Sequence, residues 1–250
     1  MQIFLTLVRR ELGSYFGSFT GYVTVAMVTL LLGLSFSMML EALNQQPSDM
    51  PITDLFYSTY YFWWILLLAA PLITMRSFAL EKSSGTYETL MTTAVSDLQV
   101  VLSKFASSMI FYIMMWLPLL GCIFVLRYYT RDPTPLDIGP LVTTFIGIWL
   151  LGSLFISLGC FASSLTRNQL TAAMLSFALG IALFLLSFLS MILPPQPGWK
   201  TILLDHISMT QHMQEFARGV VDTRYIVFYA SLTLLFLFLT SKVVEARRWK

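Results

Sequence analysis

The chain predicts an all-α polytopic membrane protein with six transmembrane helices. Three observations carry that expectation. Of its 250 residues 57% are hydrophobic and only 11% charged, where a soluble domain carries about a quarter charged residues. Six apolar runs each reach the roughly 20 residues that a helix needs to cross the hydrocarbon layer. The basic residues gather on one side of those runs, as membrane topology requires. The composition excludes an ordinary soluble enzyme, a disordered chain and a disulfide scaffold. Cys122 and Cys160 both lie within apolar runs. A net charge of +2 is too mild to point to nucleic acid.

The elements follow in order. Met1 to Phe16 places Ile3, Phe4, Leu7, Val8, Leu12 and Phe16 at helical spacing. With Arg9 and Arg10 towards headgroups, this suits an amphipathic helix of about residues 1–18 lying in the interface. The same residues would also serve as an extended start of the first span. The basic pair follows the apolar residues rather than preceding them, the wrong order for a cleaved signal. The spans run from about Tyr22 to Leu40, Phe56 to Met75, Phe105 to Leu126, Leu141 to Leu165, Leu170 to Leu193 and Tyr225 to Thr240. Runs of this length exceed a barrel strand, so the backbone satisfies its own hydrogen bonds as helices. From Trp199 to Val220 an apolar stripe of Trp199, Leu203, Ile207, Met213, Phe216 and Val220 is interrupted near Ser208. It predicts one or two short helices on the outer face, with a solvated loop as the alternative. The whole of 1–250 reads as one transmembrane domain.

Orientation comes from the flanking cations. One side holds Arg9, Arg10, Arg76, Lys82, Lys104, Arg167, Lys242, Arg247, Arg248 and Lys250; the other holds Arg127, Arg131, Lys200, Arg218 and Arg224. The richer side, with both termini, is expected in the cytoplasm. Between the interfaces the spans carry essentially no ionisable residue, and Arg76 and Lys104 are expected to snorkel from the inner ends.

The chain encodes no energy source of its own. It has no Gly-Lys pair, so it lacks the phosphate-binding loop Gly-x-x-x-x-Gly-Lys-Ser/Thr. Neither His-Glu-x-x-His nor a Gly-x-Ser-x-Gly nucleophile elbow occurs. His206 and His212 stand six apart, on different faces of a helix, which disfavours a shared metal. No catalytic residue, metal ligand or cofactor is assigned to this chain. On the fourth span Ser153, Ser157, Cys160 and Ser164 form one small, weakly polar stripe, and on the fifth Ser176 and Gly180 form a small-xxx-small pair. Such residues serve close helix packing or line a passage. Pro71 and Pro118 are positions where spans two and three bend.

The loop between spans two and three is the most informative segment. Gly85 with Glu88 three residues later reads as an N-cap for a short helix over about 85–94. Ser96-Asp-Leu-Gln99 is a capping box that starts the next helix. A short helix held between two spans is either a rigid tab for another protein or a plain interfacial turn. Glu81-Lys-Ser-Ser-Gly-Thr-Tyr-Glu-Thr-Leu90, followed by Leu102-Ser-Lys-Phe, resembles the signature of ABC-2 exporter permeases. Arg9-Arg10-Glu11-Leu-x-x-Tyr15-Phe16-Gly-Ser resembles their gliding-motility-type branch, as do His212-x-x-x-Phe216-x-Arg-Gly219-Val-Val-Asp222 and the tail Arg247-Arg248-Trp249. The chain departs from the family at Phe19 and Ala94, where proline is frequent.

The resemblance implies the ABC-2, or type V exporter, fold in a bacterial inner membrane, with a cytoplasmic coupling helix and extracellular re-entrant helices. It implies a permease without ATPase, paired with a second permease copy or a homologue and driven by cytoplasmic ABC ATPase subunits that bind ATP and Mg. Glu81, Gly85, Thr86, Glu88 and Leu90 would form the ATPase-coupling segment, with Arg10 and Glu11 beside it. A membrane-anchored protein with a large extracytoplasmic domain often accompanies this branch. The implied function is export of a substrate; the alternative is ATP-driven mechanical signalling to an extracytoplasmic partner without solute transport. A membrane enzyme would need polar groups converging in the bundle, and a passive scaffold would have no ATPase partner.

Overall fold

The computed structural model describes residues 2–45, 53, 56–57, 59–87, 96–130, 138–192 and 206–248. Among these residues all regular structure is helical. The helices are α1 (Gln2–Phe16), α2 (Phe19–Gln45), α3 (Tyr60–Thr74), α4 (Ala79–Ser84), α5 (Asp97–Met115), α6 (Leu117–Thr130), α7 (Ile138–Leu165), α8 (Gln169–Ile192), α9 (Met209–Ala217) and α10 (Thr223–Arg248). Six stretches are long and apolar enough to cross a membrane: Phe19–Glu41, Tyr60–Ser84, Asp97–Val125, Ile138–Leu165, Gln169–Phe188 and Thr223–Ala246. These coincide in order and number with the six expected spans. The third begins earlier than the apolar run alone suggests. Ser96, at its N-cap, accepts a hydrogen bond from the Gln99 amide at 3.3 Å, as the capping box requires.

α7 is the axis of the bundle, packing against α3, α4, α5, α8, α9 and α10. Its span is 72% buried, against 22% for those of α8 and α10. No hydrophobic force draws helices together in lipid, so close packing must. α7 achieves it by dispensing with side chains where its neighbours are large. A Cβ on Gly152 would fall 2.1 Å from the Tyr112 ring, and one on Gly159 would fall 2.1 Å from Thr74 Oγ1. The aromatic residues of the half away from the N-terminus, Phe56, Tyr57, Phe62, Trp63, Tyr112 and Trp116, form one continuous buried cluster.

Pro118 separates α5 from α6. It has no N–H to give and its ring crowds the carbonyl four residues back, so the chain tightens at Trp116, whose amide bonds Ile113 O at 3.1 Å. Pro71 lies inside α3 without ending it. α9 begins after Ser208, where the interrupted stripe places a break. Gly219 ends it at φ +88, and the Val220 and Gly219 amides bond the carbonyls of Glu215 and Phe216 at 3.0 and 3.1 Å. This is a Schellman cap. Thr143 Oγ1 donates to Phe216 O at 2.5 Å, and the Met209 amide donates to Ser187 Oγ at 2.6 Å. α9 is thereby pinned to α7 and α8, and residues 199–205 of the expected outer segment lie outside the described residues.

α1 is not isolated on a lipid surface. The contacts Glu11–Lys104, Tyr15–Ser108 and Tyr15–Phe111 advance together along both helices, so α1 runs parallel to α5 and packs along its first turns. The face it buries is Phe4, Leu7, Val8, Glu11, Leu12 and Tyr15, while Ile3 and Phe16 remain exposed. Glu11, which a hydrophobic pattern discards, belongs to the packed stripe.

Candidate functional site: an ion cluster under the tab

Three elements converge at the end of the bundle that carries the N-terminus. α1 brings Arg10 and Glu11, the short α4 brings Glu81, and α5 brings Lys104. Lys104 Nζ meets Glu11 Oε1 at 3.1 Å and Glu81 Oε1 at 2.9 Å; Arg10 Nη2 meets the same two oxygens at 2.9 and 3.2 Å. The four charges form a closed square. Its inner corner is dry. The Lys104 side chain is 2% exposed, against 54% for Arg10, and its ammonium also lies 5.4 Å from the Phe78 ring centroid.

Lys104 therefore does not snorkel, contrary to the sequence expectation. Snorkelling requires an open route to the interface. Here α1 lies across that route and supplies a carboxylate instead. A buried cation persists only when it is paired and hydrogen-bonded, and Lys104 is held by two carboxylates. Glu81 Oε2 is buried without a hydrogen-bond partner, so Oε1 makes both ionic contacts of that carboxylate.

Below the square, Tyr15 Oη shares hydrogen bonds with Ser108 Oγ at 2.8 Å and Ser77 Oγ at 3.4 Å. Burial pushes the Tyr15 phenol well above its ordinary range, so it stays a neutral hydroxyl that joins α1 to the end of α3 and to α5. A cavity of about 530 Å³ opens beside it, lined by Arg10, Glu11, Ser14, Tyr15, Arg76, Ser77, Leu80, Glu81, Thr86 and Lys104.

α4 is clamped to the axis of the bundle. Ser163 Oγ of α7 accepts from the Phe78 and Ala79 amides at 3.1 and 3.2 Å, filling the role of an N-cap from another helix. Lys82 Nζ donates to the Ser164 carbonyl at the end of α7 and sits 5.3 Å from the Tyr87 ring centroid. Neither link was visible in the sequence, where Ser164 read as part of a small-residue stripe and Ser163 was not singled out.

Gly85 has a role beyond the expected one. It is the left-handed terminus of α4, at φ +75, and it directly precedes Thr86 and Tyr87, which are again helical; the remainder of the helix expected after it lies outside the described residues. The preceding Ala79–Ser84 forms a helical turn and a half that must be ended, and glycine adopts this conformation without a Cβ clash. Thr86, exposed, follows it with Oγ1 2.9 Å from Ser84 Oγ. Glu88 and Leu90 lie outside the described residues.

Of the α7 stripe, Ser157, Cys160 and Ser164 are fully buried, and Ser153 meets Thr233 Oγ1 of α10 at 3.1 Å. On α8 Ser176 is buried, and Gly180 faces the Phe155 ring. At the opposite end His212 is buried and stacks on Tyr225 with centroids 3.9 Å apart; its Nδ1 lies 3.3 Å from Tyr229 Oη. Among the described residues no group of His, Cys, Asp and Glu could hold a metal ion.

No curated protein matches this sequence. Residues 35–241 match the family described as ABC-2 family transporter protein, and the matched region contains the second to fifth candidate spans whole, most of the sixth and the end of the first. The chain belongs to the ABC-2 transporter family, as a multi-pass membrane domain.

Proposed function

We infer that this chain is the permease half of an ABC-2 exporter, driven by separate cytoplasmic ATPase subunits and working beside a second permease. The end bearing the ion square would face the cytoplasm of a bacterial inner membrane, consistent with the basic bias of that side. The observation that carries the reading is the square itself. It joins α4, which leads directly into the expected tab at 85–94, to α1 and α5, while Ser163 and Lys82 join α4 to α7. A push on residues 85–94 would therefore reach three helices at once, and nucleotide-driven approach of two ATPases is the push expected in this family. The Arg9-Arg10-Glu11 and His212-x-x-x-Phe216 motifs support the gliding-motility-type branch.

The test is coupled ATP hydrolysis in a reconstituted complex. Glu88→Lys, reversing charge on the expected docking segment, and Glu81→Gln, opening the square, should each lower transport-linked ATPase activity about five-fold or more. The spans should stay folded. Unchanged coupled activity in both variants contradicts the reading.

A further inference from the structure

The cavity beside the ion square carries a positive charge that the square does not use. Glu11 and Glu81 are matched by Arg10 and Lys104, which leaves Arg76 as an additional cation on the same wall. Among the described residues no carboxylate meets Arg76, and its only hydrogen-bond partner there is Thr20 Oγ1. A half-buried guanidinium without a counter-ion is unfavourable, and its planar fork is shaped for an oxyanion. Ser14, Ser77 and Thr86 add hydroxyls to the same wall. A phosphate offers more acceptor oxygens than a carboxylate and suits such a wall better.

Two features bear on the source of that phosphate. Arg76 follows the last turn of α3, at the end of the apolar run that closes at Met75. Phe19, Tyr22 and Val23 flank Thr20 and are exposed at 83%, 66% and 46%, so an apolar surface adjoins the position of the anion. We propose that this cavity binds a phosphate-bearing anion with Arg76 as its principal ligand, and that the apolar surface beside it selects a phospholipid headgroup over free phosphate. The site is independent of which side of the membrane it faces and of any transport cycle.

The full chain, with whatever subunits copurify, is delipidated in detergent, titrated with dioleoyl phosphatidylglycerol and followed by native mass spectrometry. A parallel arm uses inorganic phosphate alone. The wild type should retain lipid, and Arg76→Gln should weaken retention about ten-fold or more, as expected for loss of a charge-assisted contact. Arg76→Lys keeps the charge and the fold but loses the fork, and should fall between them. Arg9→Gln, at an exposed position outside the cavity, should match the wild type. Inorganic phosphate binding with the same Arg76 dependence, without lipid retention, supports the anion site but assigns it to free phosphate. Binding of both probes equal in the wild type and in both Arg76 variants overturns the proposal. So does an Arg76→Gln chain that keeps its lipid but loses a copurifying protein subunit, which would give the cavity to a protein partner.

Discussion

Lys104 shows how one residue organises its surroundings. Its ammonium, enclosed by α1, α4 and α5, is the inner corner on which two carboxylates depend. Replacing one member of a buried ion set strands its partners, at a cost of about 3–5 kcal/mol. Lys104→Met should therefore lower the thermal unfolding temperature of the purified protein sharply. Glu11→Gln should lower it less, because Glu81 still holds the lysine. Steric fit makes a second prediction. Gly152→Ala pushes a methyl into the Tyr112 ring and should destabilise by about 1–3 kcal/mol. Gly33→Ala, where a Cβ meets nothing within 4 Å, should be neutral or slightly stabilising. Equal unfolding temperatures for the two alanine variants would contradict the packing described for α7. The lysine itself could be picked out in the sequence, since a cation near the start of a span is conspicuous. Its carboxylates could not be paired with it, because Glu11 and Glu81 lie 93 and 23 positions away and nothing local announces a contact between them.

Among the elements, α4 is too short to stand alone. α4 is a six-residue helix, well under the length at which an isolated helix persists in water. It survives because Ser163 caps its first amides and Lys82 grips the end of α7. Ser163→Ala should loosen it by about 1–2 kcal/mol, the usual value of a lost cap. Amide hydrogen exchange over residues 79–87 should speed up while α7 stays protected; unchanged exchange would place the anchor elsewhere. The capping box at Ser96 was legible because side chain and amide lie three residues apart. The cap from Ser163 joins residues 85 apart and has no sequence signature. Gly85 was legible as a boundary, but only as a start: that it also ends α4 at φ +75 was hidden, since a glycine between two polar turns suits either a start or a stop. The buried face of α1 was half legible. Its apolar spacing gave the helix, but Glu11 and Tyr15 became core residues only because α5 carries Lys104 and Ser108 opposite them.

For the whole molecule, lipid as solvent made the six crossings and their order plain from composition. What composition left open was which crossing forms the axis. All six runs are comparably apolar, so hydropathy does not distinguish α7; its Gly147, Gly152 and Gly159, opposite two rings and a hydroxyl, do so only once neighbours are known. The resulting architecture is an axial helix, α7, with α4 clamped to its end, and an ion square tying α4 to two further helices. On the function proposed above, a displacement applied at the segment that follows α4 would pass to all three.

Thr86, exposed beside the tab, offers the most direct test. With Cys122 and Cys160 replaced by alanine, Thr86→Cys is probed in intact cells with a membrane-impermeant maleimide and, after lysis, with a short bifunctional crosslinker. The account predicts no labelling from outside and a crosslink to a nucleotide-binding subunit. Labelling from outside, or a tab that crosslinks to no nucleotide-binding protein, would contradict it.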